Sequence, residues 1–151
     1  MISSVRGFYE GIIRTGDSFQ NVLLFLMRLY WGFAFYQGGM GKLNDLPKFV
    51  SYLQSLNVPF AEMSAYAVAL TETVGGLLLM VGLASRLVVI PLAVVMCVAY
   101  ATAHRAALLN VFQDPDTFIS QSPFNFLLTC LIVFAFGPGK CSIDYCFQSK
   151  K

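Results

Sequence analysis

LVVIPLAVVMCVAYATA, residues Leu87–Ala103, carries no charged side chain along its whole length. In water such a stretch would have to be buried on every side. A hydrocarbon core about 30 Å thick accepts it directly, because roughly 20 mainly apolar residues of helix cross that distance with every backbone group satisfied internally. The run continues into His104 and Arg105, so a span over about 87–106 is expected. Pro91 falls early in it and would loosen one turn, which membrane helices tolerate when neighbours meet the freed carbonyl.

Three other segments share this character. One covers about 19–40, apolar apart from Gln20, Asn21, Arg28 and Gln37. A second covers about 60–84, with Glu62 near its start and Glu72 near its middle. A third covers about 119–137 and is weakened at its start by Ser120, Gln121 and Ser122. Composition agrees: 57% of residues are hydrophobic and 12% charged, with mean hydropathy +0.67. A soluble domain carries about 25% charged residues, so this chain has too few to cover a surface in water. The net charge of +2 and the lack of a basic block exclude a nucleic-acid partner. The expected fold is all-α, a four-transmembrane-helix bundle with short interfacial amphipathic helices, as one domain over 1–151 whose partner is the lipid bilayer.

The interfacial helices are read from periodicity. Ile2, Val5, Phe8, Tyr9, Ile12 and Ile13 recur at helical spacing opposite Arg6, Glu10 and Arg14, which predicts a surface-lying helix over 1–17. Leu46, Phe49, Val50, Leu53 and Leu56 repeat the pattern after Asp45 and Pro47 and end at Asn57 and Pro59. With four spans both termini lie on one side. Arg6, Arg14, Arg86, Lys140, Lys150 and Lys151 fall there and outnumber Lys42, Lys48 and Arg105 opposite, so the termini are expected in the cytoplasm. Cys97 and Cys130 lie in apolar runs, and Cys141 and Cys146 match neither C-x-x-C nor a zinc pattern. The first apolar run is too long for a signal-peptide core and has no Ala-x-Ala-like cleavage site.

The chemistry concentrates in few residues. A charge inside a membrane helix is costly and faces a partner or a cavity. Counted from the cytoplasmic ends of their spans, Arg28 lies about 14 Å deep and Glu72 about 18 Å, so the two are placed to meet. Gly32 and Gly39 share a face with Arg28, and Gly75 and Gly76 with Glu72; small residues let membrane helices approach closely. The pair reads either as a pocket for an anionic or quinone-like group or as a structural ion pair that sets helix register. Lys42 follows Gly38-Gly39-Met40-Gly41 and reads as an anion-binding or a snorkelling lysine. Arg86 sits where a cytoplasmic anchor belongs. His104, the single histidine, lies one turn after Tyr100 and reads as an interfacial hydrogen-bonding group or a quinone-headgroup ligand. One histidine gives no familiar haem or di-iron ligand set, so no metal site is expected.

These residues fall into an ordered pattern. It comprises Leu29-x-x-Gly32 after Arg28, Gly38-Gly39-Met40-Gly41-Lys42-Leu43 and Leu56-Asn57-Val58-Pro59. It continues with Glu72-x-x-Gly75-Gly76-Leu77-x-Leu79-x-x-Gly82-Leu83-x-x-Arg86 and closes on Gly137-Pro138-Gly139-Lys140-Cys141-Ser142-Ile143-Asp144. Over Leu24–Asp144 the chain resembles the DoxX family of small four-helix membrane proteins. The resemblance implies association with a quinol oxidase or a thiosulfate:quinone oxidoreductase, or a part in redox homeostasis. The expected role is an accessory subunit, not catalytic alone, that binds a quinone or anion through Arg28, Glu72, Lys42, His104 and Tyr100 beside a redox partner subunit. The expected location is a bacterial cytoplasmic membrane. A scaffold for a membrane partner is the alternative. A solute transporter or channel, formed if at all by a homo-oligomer, ranks last because the two halves show no repeat.

Overall fold

The computed structural model describes residues 2–148, with the side chains of residues 2–8, 14 and 148 left aside. The side chains of Ile2, Val5, Arg6, Phe8 and Arg14 of the amphipathic pattern, and the whole of Lys150 and Lys151 of the charge count, therefore lie outside what is described. Helices are the only regular elements among those described: α1 (Ile2–Asn44), α2 (Leu46–Ser55), α3 (Ala61–Val81), α4 (Ser85–Thr102), α5 (Arg105–Leu109), α6 (Pro115–Ser120), α7 (Ser122–Phe136) and α8 (Ile143–Gln148).

Buried stripes at helical spacing hold the long helices together. Leu24, Arg28, Gly32, Phe35 and Gly39 form the buried edge of α1, and Ser85, Val89, Leu92, Met96 and Tyr100 that of α4. α1 packs most extensively on α3 and α4 on α7, and the two pairs close into a ring through α3–α4 and α1–α7 contacts. At the centre, Phe35, Leu79, Val89, Leu92, Met96, Cys130 and Val133 make one core drawn from all four helices. The outer faces are also apolar: Phe33, Leu70, Val74, Ile90, Val94, Leu131 and Phe134 are exposed. An apolar surface this continuous marks contact with lipid or another protein.

Boundaries differ from expectation for local reasons. The predicted surface helix over 1–17 and the first span are one uninterrupted helix of 43 residues, about 65 Å long. No proline interrupts it, and Gly11 and Gly16 have open space around them. Residues 9–13 and 15–20 are all exposed, so the N-terminal half of α1 projects past the bundle. α3 stops at Gly82, whose left-handed φ of 71° lets both Gly82 and Leu83 donate to the Leu78 carbonyl. α4 runs through Pro91 and ends at Thr102, short of the expected 106. The last long helix starts at Ser122, because Gln121 is extended and Pro123 follows. That leaves α7 with 15 residues, fewer than a full span needs. Two helices, α3 and α4, are long and apolar enough to cross a membrane by themselves.

α2 forms where the period predicts it, although Asp45 makes no side-chain cap. Its Leu53 packs on Ala61 and Ala65 of α3, flanked by Leu46, Phe49, Val50 and Val58. This lays α2 across one end of the α1–α3 pair.

Candidate functional site

The α1–α3 register decides which polar groups can meet. Gly32 lies against Gly76 and Met80, and Gly39 against Ala69 and Thr73, so the helices run antiparallel with Arg28 level with Gly82. Gly38 stands beside Glu72. Arg28 and Glu72 are thus about ten residues apart along α3, roughly 15 Å, and the expected Arg28–Glu72 meeting is not formed. The depth count assumed that packing starts at Phe19; it starts at Leu24, because the preceding turns project beyond the bundle. Gly75 also leaves the expected face and packs on Leu92 of α4.

Glu72, 3% exposed, pairs instead with Lys42. Lys42 lies one turn past Gly38 on α1, and its ammonium also stands 5.5 Å from the centre of the Phe49 ring, within cation–π range. Beside the pair is a cavity of about 470 Å³, lined by α1, α2, α3, α4 and the start of α7. Its walls are mainly apolar, with Phe35, Leu53, Val68, Val95 and Phe126 among them. The titratable groups on the walls are Lys42, Tyr52, Glu72 and His104. Three of the five candidate ligand-binding residues, Lys42, Glu72 and His104, therefore share one cavity. The other two do not line it. Tyr100 donates its hydroxyl to the Phe118 carbonyl at 2.9 Å and stacks on the Phe118 ring. Tyr52, supplied by α2, was missed by the sequence reading, since nothing in the local pattern shows that α2 folds over this space.

Arg28 belongs to a clasp at the opposite end. Wholly buried, it donates from Nη2 to the Cys141 carbonyl at 2.6 Å. Its Nε and Nη1 have no hydrogen-bond partner. Asp144 accepts from the backbone N–H groups of Ala84 at 2.6 Å and Ser85 at 2.8 Å, capping α4 from a remote part of the chain. α4 needs this, because Ala84 has a left-handed φ of 48° and no side-chain oxygen to offer. The Asp144 N–H donates to the Gly82 carbonyl, and Asn21 accepts from the Lys140 N–H. Arg86 reaches the Ala135 carbonyl beside Gly137. The Gly-Leu-x-x-Arg and Gly-Pro-Gly…Ser-x-Asp elements of the sequence are the two halves of this clasp.

Among the described residues no three His, Cys, Asp or Glu side chains converge as metal ligands would. All four cysteines are free.

A helical bundle with an apolar exterior, two helices able to cross a bilayer and a largely apolar cavity defines a membrane-associated protein of the small-bundle class. The DoxX family model matches residues 23–105, more than half of the chain, and the protein belongs to the DoxX family. No curated protein and no solved structure matches it.

Proposed function

We propose that this DoxX-family protein crosses the membrane four times and binds an amphipathic small molecule with a quinone-like or anionic head, as an accessory subunit of a membrane redox system. The observation that carries this reading is the cavity holding Lys42, Glu72 and His104. Its volume of about 470 Å³ falls within the 300–1,000 Å³ typical of ligand pockets, and a few convergent polar groups in an apolar wall are what such pockets use for orientation. An ammonium has three N–H donors. One is engaged by Glu72, leaving donors for a quinone carbonyl or an anionic oxygen. Electron transfer would fall to a partner subunit, while this chain's residues hold and orient the head.

Four crossings are supported by the exposed apolar faces of α1, α3, α4 and α7. Polar Asn110, Asp114 and Asp116 fall in the segment between α4 and α7, and the clasp holds Arg86 and Lys140 at the end carrying both termini.

Trp31 supplies the test. It is the single tryptophan, and its ring packs 5.1 Å from Phe126 on the cavity wall. Titrating purified protein with short-chain ubiquinone and menaquinone analogues should quench its fluorescence saturably. Lys42→Gln should weaken binding about tenfold or more, the worth of a hydrogen bond to a charged group. No saturable quenching, with Lys42→Gln and Glu72→Gln affecting only thermal stability, would sink the reading.

A scaffold role is favoured by one feature, the projecting half of α1, where Tyr9, Ile12, Ile13 and Phe19 are exposed. Cross-linking from these positions in native membranes should then recover a reproducible neighbour.

A further inference from the structure

The Lys42–Glu72 pair closes its charge within the cavity wall. Glu72 is fixed at mid-helix on α3 and its side chain is 4% exposed, whereas that of Lys42 is 28% exposed at the end of a flexible stem near the C-terminus of α1. Of the two partners, only Lys42 can follow an incoming group. The other titratable groups facing the cavity are Tyr52 from α2 and His104 after α4; α7 contributes Ser122, Pro123 and Phe126, none of which titrates. Among the described residues Lys42 is the one lysine or arginine lining the cavity, so an anion that shared its ammonium with an ionised Glu72 would leave the apolar wall with a net negative charge.

We propose that the cavity takes a monoanionic amphipath, a carboxylate head on an apolar tail, together with one proton. The incoming carboxylate replaces Glu72 at the Lys42 ammonium, and Glu72 takes a proton from solvent. One O–H bond forms and no covalent bond breaks in the ligand. The site carries one positive and one negative charge before binding and the same after it. A buried carboxylate stripped of its cation is strongly disfavoured, so protonation is the route by which Glu72 stays in the apolar wall. The apolar majority of the lining takes the tail, through the same burial that would hold a quinone's ring. This inference rests on the reading of the cavity as a ligand site, and it adds the charge class and the coupling to a proton.

The probe is octanoate, with octanol as its neutral counterpart, added to full-length protein in phosphatidylcholine nanodiscs after subtraction of empty discs. Calorimetry in two buffers of different ionisation enthalpy counts the protons. Octanoate should bind with uptake of about one proton. Its affinity should rise about tenfold for each pH unit lowered between about pH 8 and pH 6. Octanol should show neither effect. Glu72→Gln frees Lys42 without a charge to neutralise, so it should bind octanoate more tightly at about pH 8, with no proton uptake and a flat pH profile. His104→Gln, whatever it does to affinity, should retain the uptake of about one proton.

Octanoate binding without proton uptake in the parent protein would overturn the inference, as would uptake that persists in Glu72→Gln and disappears in His104→Gln. Failure of the folded parent protein to bind octanoate would overturn it too. In each case saturable quinone binding would leave the wider reading standing; that reading falls only when quinone binding is absent. The proton count in the parent protein decides the matter even if Glu72→Gln does not fold.

Discussion

Gly76 has no room for a methyl group: a Cβ there would stand 2.6 Å from the Gly32 carbonyl oxygen and from the Tyr36 backbone nitrogen. Both obstacles are backbone, so relief would require α1 and α3 to separate. Gly76→Ala should therefore lower stability by roughly 1–3 kcal/mol, the cost of overpacking. Gly11 sits in the same helix as Gly32 but meets nothing. There the gain in helix propensity acts alone, and Gly11→Ala should be neutral or stabilise by up to about 1 kcal/mol. Thermal unfolding of both variants in one detergent would separate the two cases. Asp144 is the second decisive residue. Because it receives two N–H groups of an otherwise uncapped helix, Asp144→Ala should cost about 1–2 kcal/mol, at the upper part of the capping range. Asp144→Asn, which retains an acceptor oxygen, should recover part of that loss in the same measurement.

At the level of elements, α6 shows a cap whose strength depends on pH. Asp114 accepts from the Thr117 N–H at 3.2 Å and from its hydroxyl at 2.5 Å. These bonds hold its carboxyl below the usual carboxylate range, the Thr117 hydroxyl contributing most. A folded-state pKa below the unfolded one adds stability above the unfolded value, and this is lost as pH falls through the folded value. The α6 turn should thus loosen only in acid, and Asp114→Asn should remove that acid-side dependence; amide exchange at Thr117 across pH would read it. α2 illustrates how an element's role can exceed its period. Its spacing shows which face is apolar, and Leu53, Phe49 and Val50 do turn toward α3. The same spacing does not show that Tyr52, exposed in part, would complete a cavity whose other walls come from α1, α3, α4 and α7.

Across the whole molecule the polar groups sort to two ends. The clasp of Arg28, Asn21, Asp144 and the Gly137–Asp144 segment lies at the end carrying the termini, and the Lys42–Glu72 cavity lies at the other. The cytoplasmic placement expected for the termini from the loop charges makes a direct prediction. A membrane-impermeant maleimide should label Cys141 and Cys146, both exposed, in inverted membrane vesicles and not in right-side-out ones. Cys130 is buried in the core and should stay unlabelled in both, and Cys97, exposed on an apolar helix face, should react only after detergent solubilisation. Labelling of Cys141 from the outside would reverse the orientation.

The apolar run Leu87–Ala103 and its three companions determined by themselves that the chain is helical and too apolar for water, because length and hydropathy are local properties. The ordered motifs also revealed the family, while of the glycines Gly32, Gly39 and Gly76 lie where α1 and α3 approach closely and Gly75 packs on α4 instead. Only the tertiary structure decided the partners of the charges. Arg28 and Glu72 looked level because each was counted from the end of its own apolar run, and no sequence signal says how far one antiparallel helix slides past another. That offset is set by the fit of Gly32 and Gly39 of α1 against Gly76 and Thr73 of α3. It carries Arg28 down to the Cys141 carbonyl and brings Glu72 up to Lys42. A pair of helices has many registers with similar hydropathy; the one adopted is the one in which the backbones can touch.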